Sequence, residues 1–248
     1  MSNFTFAIDS IQIADTRSAH EDTDYVSLTL KVGGAAATTQ VQRIGNVNNG
    51  VHAVNLSFRN VAVNPTDAVV LNYLVVNAGS ASTASVTSAL MAIGNTFANG
   101  PANQSPQLGS ALPGDGPWIS TNLASIFHAG SCDGLVAAEQ DHFSYNDLVA
   151  ALSKPFSQST YHMGPRTSGC NSRPSGYIVK WEMGVSVPDL TEGMLTLMQA
   201  ETELQNAGLA LGTTSGTGNK IISTTPIAGA PEPFGTPVNL RFGTSPGR

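Results

Sequence analysis

Charge is what this sequence has least of. Charged residues make up 11% of its 248 positions, against about 25% in a typical globular domain. The polarity of the surface must therefore come from Ser, Thr, Asn and Gly. That composition suits secreted adhesive modules, virion parts and filament subunits, whose surfaces work by hydrogen bonding and close packing. Basic residues are scarcer than acidic ones, 11 Lys plus Arg against 17 Asp plus Glu, for a net charge of -6. They form no cluster able to neutralise phosphates, which excludes nucleic acid as a partner. No run of about 18 apolar residues exists, which excludes a membrane-spanning helix. The opening MSNFTFAIDS lacks the basic, then apolar, then small-residue plan of a signal peptide. A surface location would need another export route, or a chain that already starts at its mature residue. Cysteine is nearly absent. Cys132 and Cys170 can form one disulfide in an oxidising compartment or remain two thiols in a reducing one.

Catalytic signatures are also missing. GSCDG around Cys132 lacks the spacing of a nucleophile elbow, and GTTSGTGNK lacks that of a phosphate loop. A thiol dyad of Cys132 with His142 or His162 competes with a disulfide or a buried thiol. His128 and Cys132 stand four apart, but Gly130 between them weakens a helix, and zinc sites commonly use two such close pairs. The expectation is a protein that is not an enzyme.

Hydrophobic residues are plentiful, at 41%, and the length allows two domains with a sizeable core. FTFAIDSIQIA alternates Phe4, Phe6, Ile8 and then Ile11, Ile13, a half-buried strand with a phase slip at Asp9-Ser10 that predicts a bulge. YVSLTLKVGG puts Val26, Leu28, Leu30 and Val32 on one face. Asn48-Asn49-Gly50 predicts a hairpin turn between two further strands. DAVVLNYLVVNAG is a continuous apolar run that fits a strand buried on both faces. Five strands parted by Gly, Asn and Pro indicate an antiparallel β-sandwich.

Helical spacing then appears at Val86, Leu90, Ile93 and Phe97, an amphipathic helix. A Gly/Pro/Gln-rich loop, GPANQSPQLGSALPGDGP, follows and leads to a strand over 135–143. Ser144 and Asp147 have capping-box spacing at the head of a short helix. GYIVKWEMGV gives a last strand with Tyr177, Val179 and Trp181 on one face. The fold expected for residues 1–184 is thus mainly β, a sandwich with inserted helices.

At Val187 the text changes. Val187-Pro188-Asp189-Leu190 opens the segment, Gly193 follows, and Ala207-Gly208-Leu209 ends a helix carrying Leu195, Met198, Leu204 and Ala207. Pro226, Ala228-Gly229 and Gly235-Thr236 then lead into Val238-Asn239-Leu240. Over about a quarter of the chain, residues 187–243, the order and spacing resemble a PASTA domain, the small α+β module attached to bacterial penicillin-binding proteins and serine/threonine kinases. The resemblance implies an extracellular or cell-surface location and binding of cell-wall glycan. It also departs from the family, which usually has Gln two residues before the proline, where this chain has Thr224. Residues 1–184 resemble uncharacterised bacterial β-sandwich proteins, and the strand, acidic loop and DYVSLTL are similar to a C2 domain, a likeness that implies Ca²⁺ held by loop carboxylates.

The segment ADTRSAHEDTDYVSLTL concentrates the acidic charge: Asp15, Glu21, Asp22 and Asp24. Ca²⁺ takes six to eight oxygens, and these four are candidate ligands, with calcium the one cofactor the sequence suggests. The alternative is a structural turn in which Arg17 and His20 neutralise the charge and the Asp side chains cap backbone amides. Trp118 and Tyr161 are the candidate glycan-stacking aromatics. Trp181 fits the core. Function is expected in binding or assembly at the cell exterior, as a glycan-binding module or as a self-assembling, homo-oligomeric structural subunit.

Overall fold

The computed structural model describes residues 2–19, 21–99, 123, 126–127, 131–152, 156–164, 170–171 and 173–244. It is mainly β. The first sheet contains β1 (Ser2–Asp15), β4 (Gly50–Val63), β7 (Phe156–Met163) and β8 (Gly176–Ser186). The second runs β3 (Thr38–Val47), β2 (Asp22–Val32), β5 (Ala68–Asn77), β6 (Gly134–Ser144). All pairings in both are antiparallel.

The two sheets face each other across the apolar positions that alternate along their strands. Phe4, Phe6, Ile8, Ile11 and Ile13 of β1 meet Val26, Leu28, Leu71, Tyr73 and Val75 of β2 and β5 in one buried cluster. At about 1.5–3 kcal/mol for each large apolar side chain removed from water, this is the main stabilisation of the sandwich. The phase slip in β1 is a bulge: its register against both β4 and β8 shifts between Ile8 and Ser10. That shift turns Ile11 inward, where strict alternation from Ile8 would turn it out.

β5 is buried along both faces. Its second face, with Tyr25 of β2, packs under α1 (Thr83–Ala98), whose Val86, Leu90, Ile93 and Phe97 form a second core. The helix comes so close that a Cβ on Gly94 would stand 2.2 Å from Thr29 Oγ1. The short α2 (Tyr145–Ala151) begins with the expected capping box of Ser144 and Asp147.

One turn signal behaves differently from its prediction. Asn48 and Asn49 do join β3 to β4, but the two strands lie in opposite sheets and share no ladder. The chain changes sheet at this point. Side-chain amides bridge the seam instead: Gln40 accepts from the Ser57 N–H at 3.2 Å and donates to the Ser57 carbonyl at 3.0 Å. Gln42 accepts from the Asn55 N–H at 2.7 Å.

The C-terminal residues add α3 (Leu197–Asn206), β9 (Ala210–Gly216), β10 (Lys220–Thr225), β11 (Pro231–Glu232) and β12 (Pro237–Gly243). β9, β10 and β12 form a third sheet, with β12 central, antiparallel to β10 and parallel to β9. α3 starts later than its apolar spacing suggests, because Thr196 and Gln199 form a capping box. Ala200 and Leu204 therefore face the core, and Met198 is 77% exposed. Gly208 ends the helix with φ +79°, the conformation its position predicts.

This unit does not hang from a linker. β11 adds to the first sheet by pairing with Val185 and Ser186. Val187 and the 229–230 turn exchange backbone hydrogen bonds, and the Phe234 N–H reaches the Leu152 carbonyl. Leu190, Leu204, Ile221, Val238 and Leu240 belong to the same buried cluster as the sandwich interior.

Candidate functional site

The acidic segment spans the end of β1 and the start of β2, and its carboxylates part company. Asp22 is fully buried and takes four donors. These are the Arg17 N–H at 2.6 Å, the Ser18 N–H at 2.7 Å, Asn77 Nδ2 at 2.9 Å and Tyr177 Oη at 2.7 Å. Asp24 is also fully buried and lies 2.9 Å from the same Tyr177 oxygen. One phenol proton cannot serve two carboxylates. The Tyr177 hydroxyl lies within donating distance of both, and its proton serves one of them at a time. Burial first, and then the Asp22 charge, hold the Asp24 carboxyl well above the usual range.

Asp15 and Glu21 look elsewhere. Asp15 lies 3.7 Å from Arg173, and exposed Glu21 accepts from Asn46 at 2.9 Å. The four predicted ligands do not converge on one point. Among the described residues no three His, Cys, Asp or Glu side chains are grouped to hold a metal. His20 lies outside the described residues. The likeness to a C2 domain is not supported: the two central carboxylates point into the fold, toward donors the protein itself supplies.

The same network reaches the cysteines. Arg17 is buried, and its Nε donates to the Cys132 carbonyl at 2.9 Å, which also receives Asn77 Nδ2 at 3.1 Å. Burial lowers the guanidinium's affinity for its proton, while the Asp22 and Asp133 charges oppose that shift. Gly134 is required here, since a Cβ would come 2.4 Å from Arg17 Cζ. Cys132 and Cys170 are joined by a disulfide, with Cα atoms 5.6 Å apart. Neither sulfur is then a thiolate for zinc or for His142 or His162. Asn171, next to Cys170, ties back through bonds to the carbonyls of Arg17 and Thr16.

A second polar cluster closes the other seam of the sandwich. Tyr73 Oη donates to Glu139 and bonds His162 Nε2 at 2.7 Å. Gln158 bridges to Glu139 from β7. Burial, then the Glu139 charge, lifts Asp141 to about 6. Burial lowers His162, with the Glu139 charge opposing.

Tyr161 is 57% exposed on β7 and its ring lies over Gly176, so it is available to a ligand. Trp118 lies outside the described residues. On the C-terminal unit, Met194, Leu197 and Met198 are 66%, 43% and 77% exposed.

Sequence reading missed Asn77 and Tyr177 as partners of the acidic segment. The one available signal was their type, an Asn closing the mostly apolar β5 and a Tyr on the inward face of β8.

The fold is thus a disulfide-bearing β-sandwich that carries a small α+β unit sewn to its first sheet. Residues 185–244 of that chain match the PASTA domain family. No curated protein matches the chain. Among the described residues, no helix is long and apolar enough to cross a membrane.

Proposed function

We propose that this is a non-enzymatic binding protein of the bacterial cell exterior, which attaches to cell-wall glycan through its C-terminal unit. The PASTA domain match over residues 185–244 carries the reading. Two further features support it. The Cys132–Cys170 disulfide suits an oxidising compartment. The scarcity of charge leaves a surface of hydroxyl and amide groups, the partners that sugar hydroxyls require, and Tyr161 adds an exposed aromatic face.

Co-sedimentation with purified peptidoglycan tests this directly. The full chain should pellet with sacculi, and a chain that stays in the supernatant at low ionic strength would overturn the reading. A second reading, a subunit of a repeating assembly, is favoured by the apolar side chains exposed between residues 194 and 198. Light scattering across a concentration series separates the two. A monomer that pellets with sacculi supports attachment, and a polymer indifferent to them supports assembly.

A further inference from the structure

A cavity of about 250 Å³ opens where the outer face of the first sheet meets the 229–231 turn of the C-terminal unit. Thr5, Asp9, Asn55, Arg59, Glu182 and Gly229 are among the residues that line it. Gly229 and Pro231 bring the C-terminal unit into its lining. The cavity also lies beside two backbone irregularities, the bulge in β1 at Ile8–Ser10 and Asn60 at φ +55°. Asn60 is the one non-glycine residue with positive φ among those described, and such strain gathers at sites where a side chain must be aimed. The Asn60 N–H is held by Ser186 Oγ at 3.0 Å, which sets the position from which Arg59 leaves the strand.

The three charged side chains of the cavity, Asp9, Arg59 and Glu182, are unequal in their partners. Asp9 is held by Lys180 at 2.9 Å. Arg59 makes no ion pair among the described residues, and only its Nε is engaged, by Ser57 Oγ at 3.1 Å. Its terminal nitrogens are left to donate. Gly229 packs so closely that a Cβ would stand 2.9 Å from Arg59 Cδ, which fixes the stem of the side chain. Glu182 is half-buried and its carboxylate accepts no hydrogen bond among the described residues, and the Lys180 charge is the cation that acts on it. Burial, then the Asp9 charge, raises its carboxyl above the ordinary range, and Glu232 is raised in turn by burial and by Glu182. Lys180 opposes the rise at Glu182 only in part.

We propose that this cavity binds a small zwitterion, with Arg59 taking the carboxylate and Glu182 the ammonium group. Arg recognises carboxylates through paired N–H donors, and a half-buried carboxylate without a donor is completed by an ammonium. Among the described residues no aromatic side chain lines the cavity, so they offer no platform for the face of a sugar ring. The volume lies just below the range of drug-sized pockets, about 300–1,000 Å³, and suits an amino acid or the end of a short peptide. The proposal does not rest on the wall-binding reading, because most of the cavity belongs to the sandwich.

Calorimetry on the full chain tests it with three probes: L-alanine, alanyl-alanine, and N-acetylalanine amide, which lacks both charges. The first two separate a free amino acid from a peptide as the source of the zwitterion. At least one of the two should bind at millimolar concentration, and the blocked amide should not. E182Q and R59Q should each weaken binding by about tenfold or more, the loss expected for one charge-assisted contact. Thermal melts matching the wild type show that each variant is folded. No heat from either charged probe, equal binding of the blocked amide, or undiminished binding by both folded variants would overturn the site. Sacculus co-sedimentation by R59Q keeps this result apart from wall attachment, which the substitution should leave intact.

Discussion

Reducing the Cys132–Cys170 bond should cost this protein a large part of its stability, and the size can be worked from its position. The two cysteines are separated by 38 residues. For a closed loop of that length, the chain-entropy relation gives about 4 kcal/mol at 25 °C, lost when the bond opens and the unfolded chain regains its freedom. With a urea m-value of about 2 kcal/mol/M, the unfolding midpoint should fall by about 2 M. The contacts around the bond do not depend on it. Arg17 Nε and Asn77 Nδ2 bond the Cys132 carbonyl, and Asn171 bonds the carbonyls of Thr16 and Arg17. Because these contacts hold the loop in place, the reduced protein should still fold to the same state, with unchanged far-ultraviolet dichroism before the transition. Urea unfolding with and without a phosphine reductant, repeated on the C132S/C170S double variant, measures the difference. A loss below about 1 kcal/mol would refute the reasoning, since the bond would then be constraining a chain already held together when unfolded.

Asp22 and Asp24 should respond oppositely to the same change. D22N places an amide N–H among four donors and should cost about 3–5 kcal/mol in urea unfolding, whereas D24N removes a charge that burial disfavours and should cost less than about 1 kcal/mol. Asp141 should make the protein more stable in mild acid. Its carboxyl is raised from 3.8 to about 6, so the folded state holds the proton more tightly than the unfolded chain. That contribution is fully present below the unfolded value and is lost as pH rises through about 6. His162, lowered by burial, acts in the opposite sense, losing its contribution as pH falls, so the wild-type profile is a composite. The difference between wild type and D141N across pH 4 to 7, read by urea unfolding, isolates the Asp141 slope, and parallel profiles would refute it. G184A should unseat the C-terminal unit: its Cβ would meet the Glu232 backbone nitrogen at 2.2 Å. Limited proteolysis should then cut near residues 229–232, where the wild type resists.

What could be read from the sequence was what depends on near neighbours. The slip at Asp9-Ser10, the doubly buried β5, the spacing of α1, the cap of α2 and the glycine that ends α3 are settled by residues within a few positions of one another. The PASTA marks are of the same kind, since turn glycines and the opening Val187-Pro188-Asp189-Leu190 are fixed by local backbone geometry. Where a choice is made at long range, the local signal misleads. Asn48-Asn49-Gly50 specifies a tight turn and does not specify which ladder the next strand joins. Met198 has helical spacing with Leu204 only if the helix starts a turn earlier than the Thr196 cap allows. β7, with its alternating polar pattern, is an edge strand whose place is set by β8.

The acidic segment is the sharpest case. Asp15, Glu21, Asp22 and Asp24 crowd together in sequence, and crowded carboxylates need positive partners from somewhere. A sequence cannot say whether those partners are dissolved cations or groups of the chain itself. Here they come from Asn77, 55 residues on from Asp22, and Tyr177, 155 residues on, carried in by β5 and β8. Once both are in place, Asp22 has no lone pair to spare, and Asp24 shares the Tyr177 hydroxyl in a site whose burial disfavours its charge. The charge that looked like a ligand set therefore acts as a clasp. It binds the head of β2 to the ends of β5 and β8 and to the disulfide loop, tying both sheets together at one end of the sandwich. The proposed ligand site lies elsewhere on the first sheet, where Arg59 and Glu182 line the cavity beside the C-terminal unit.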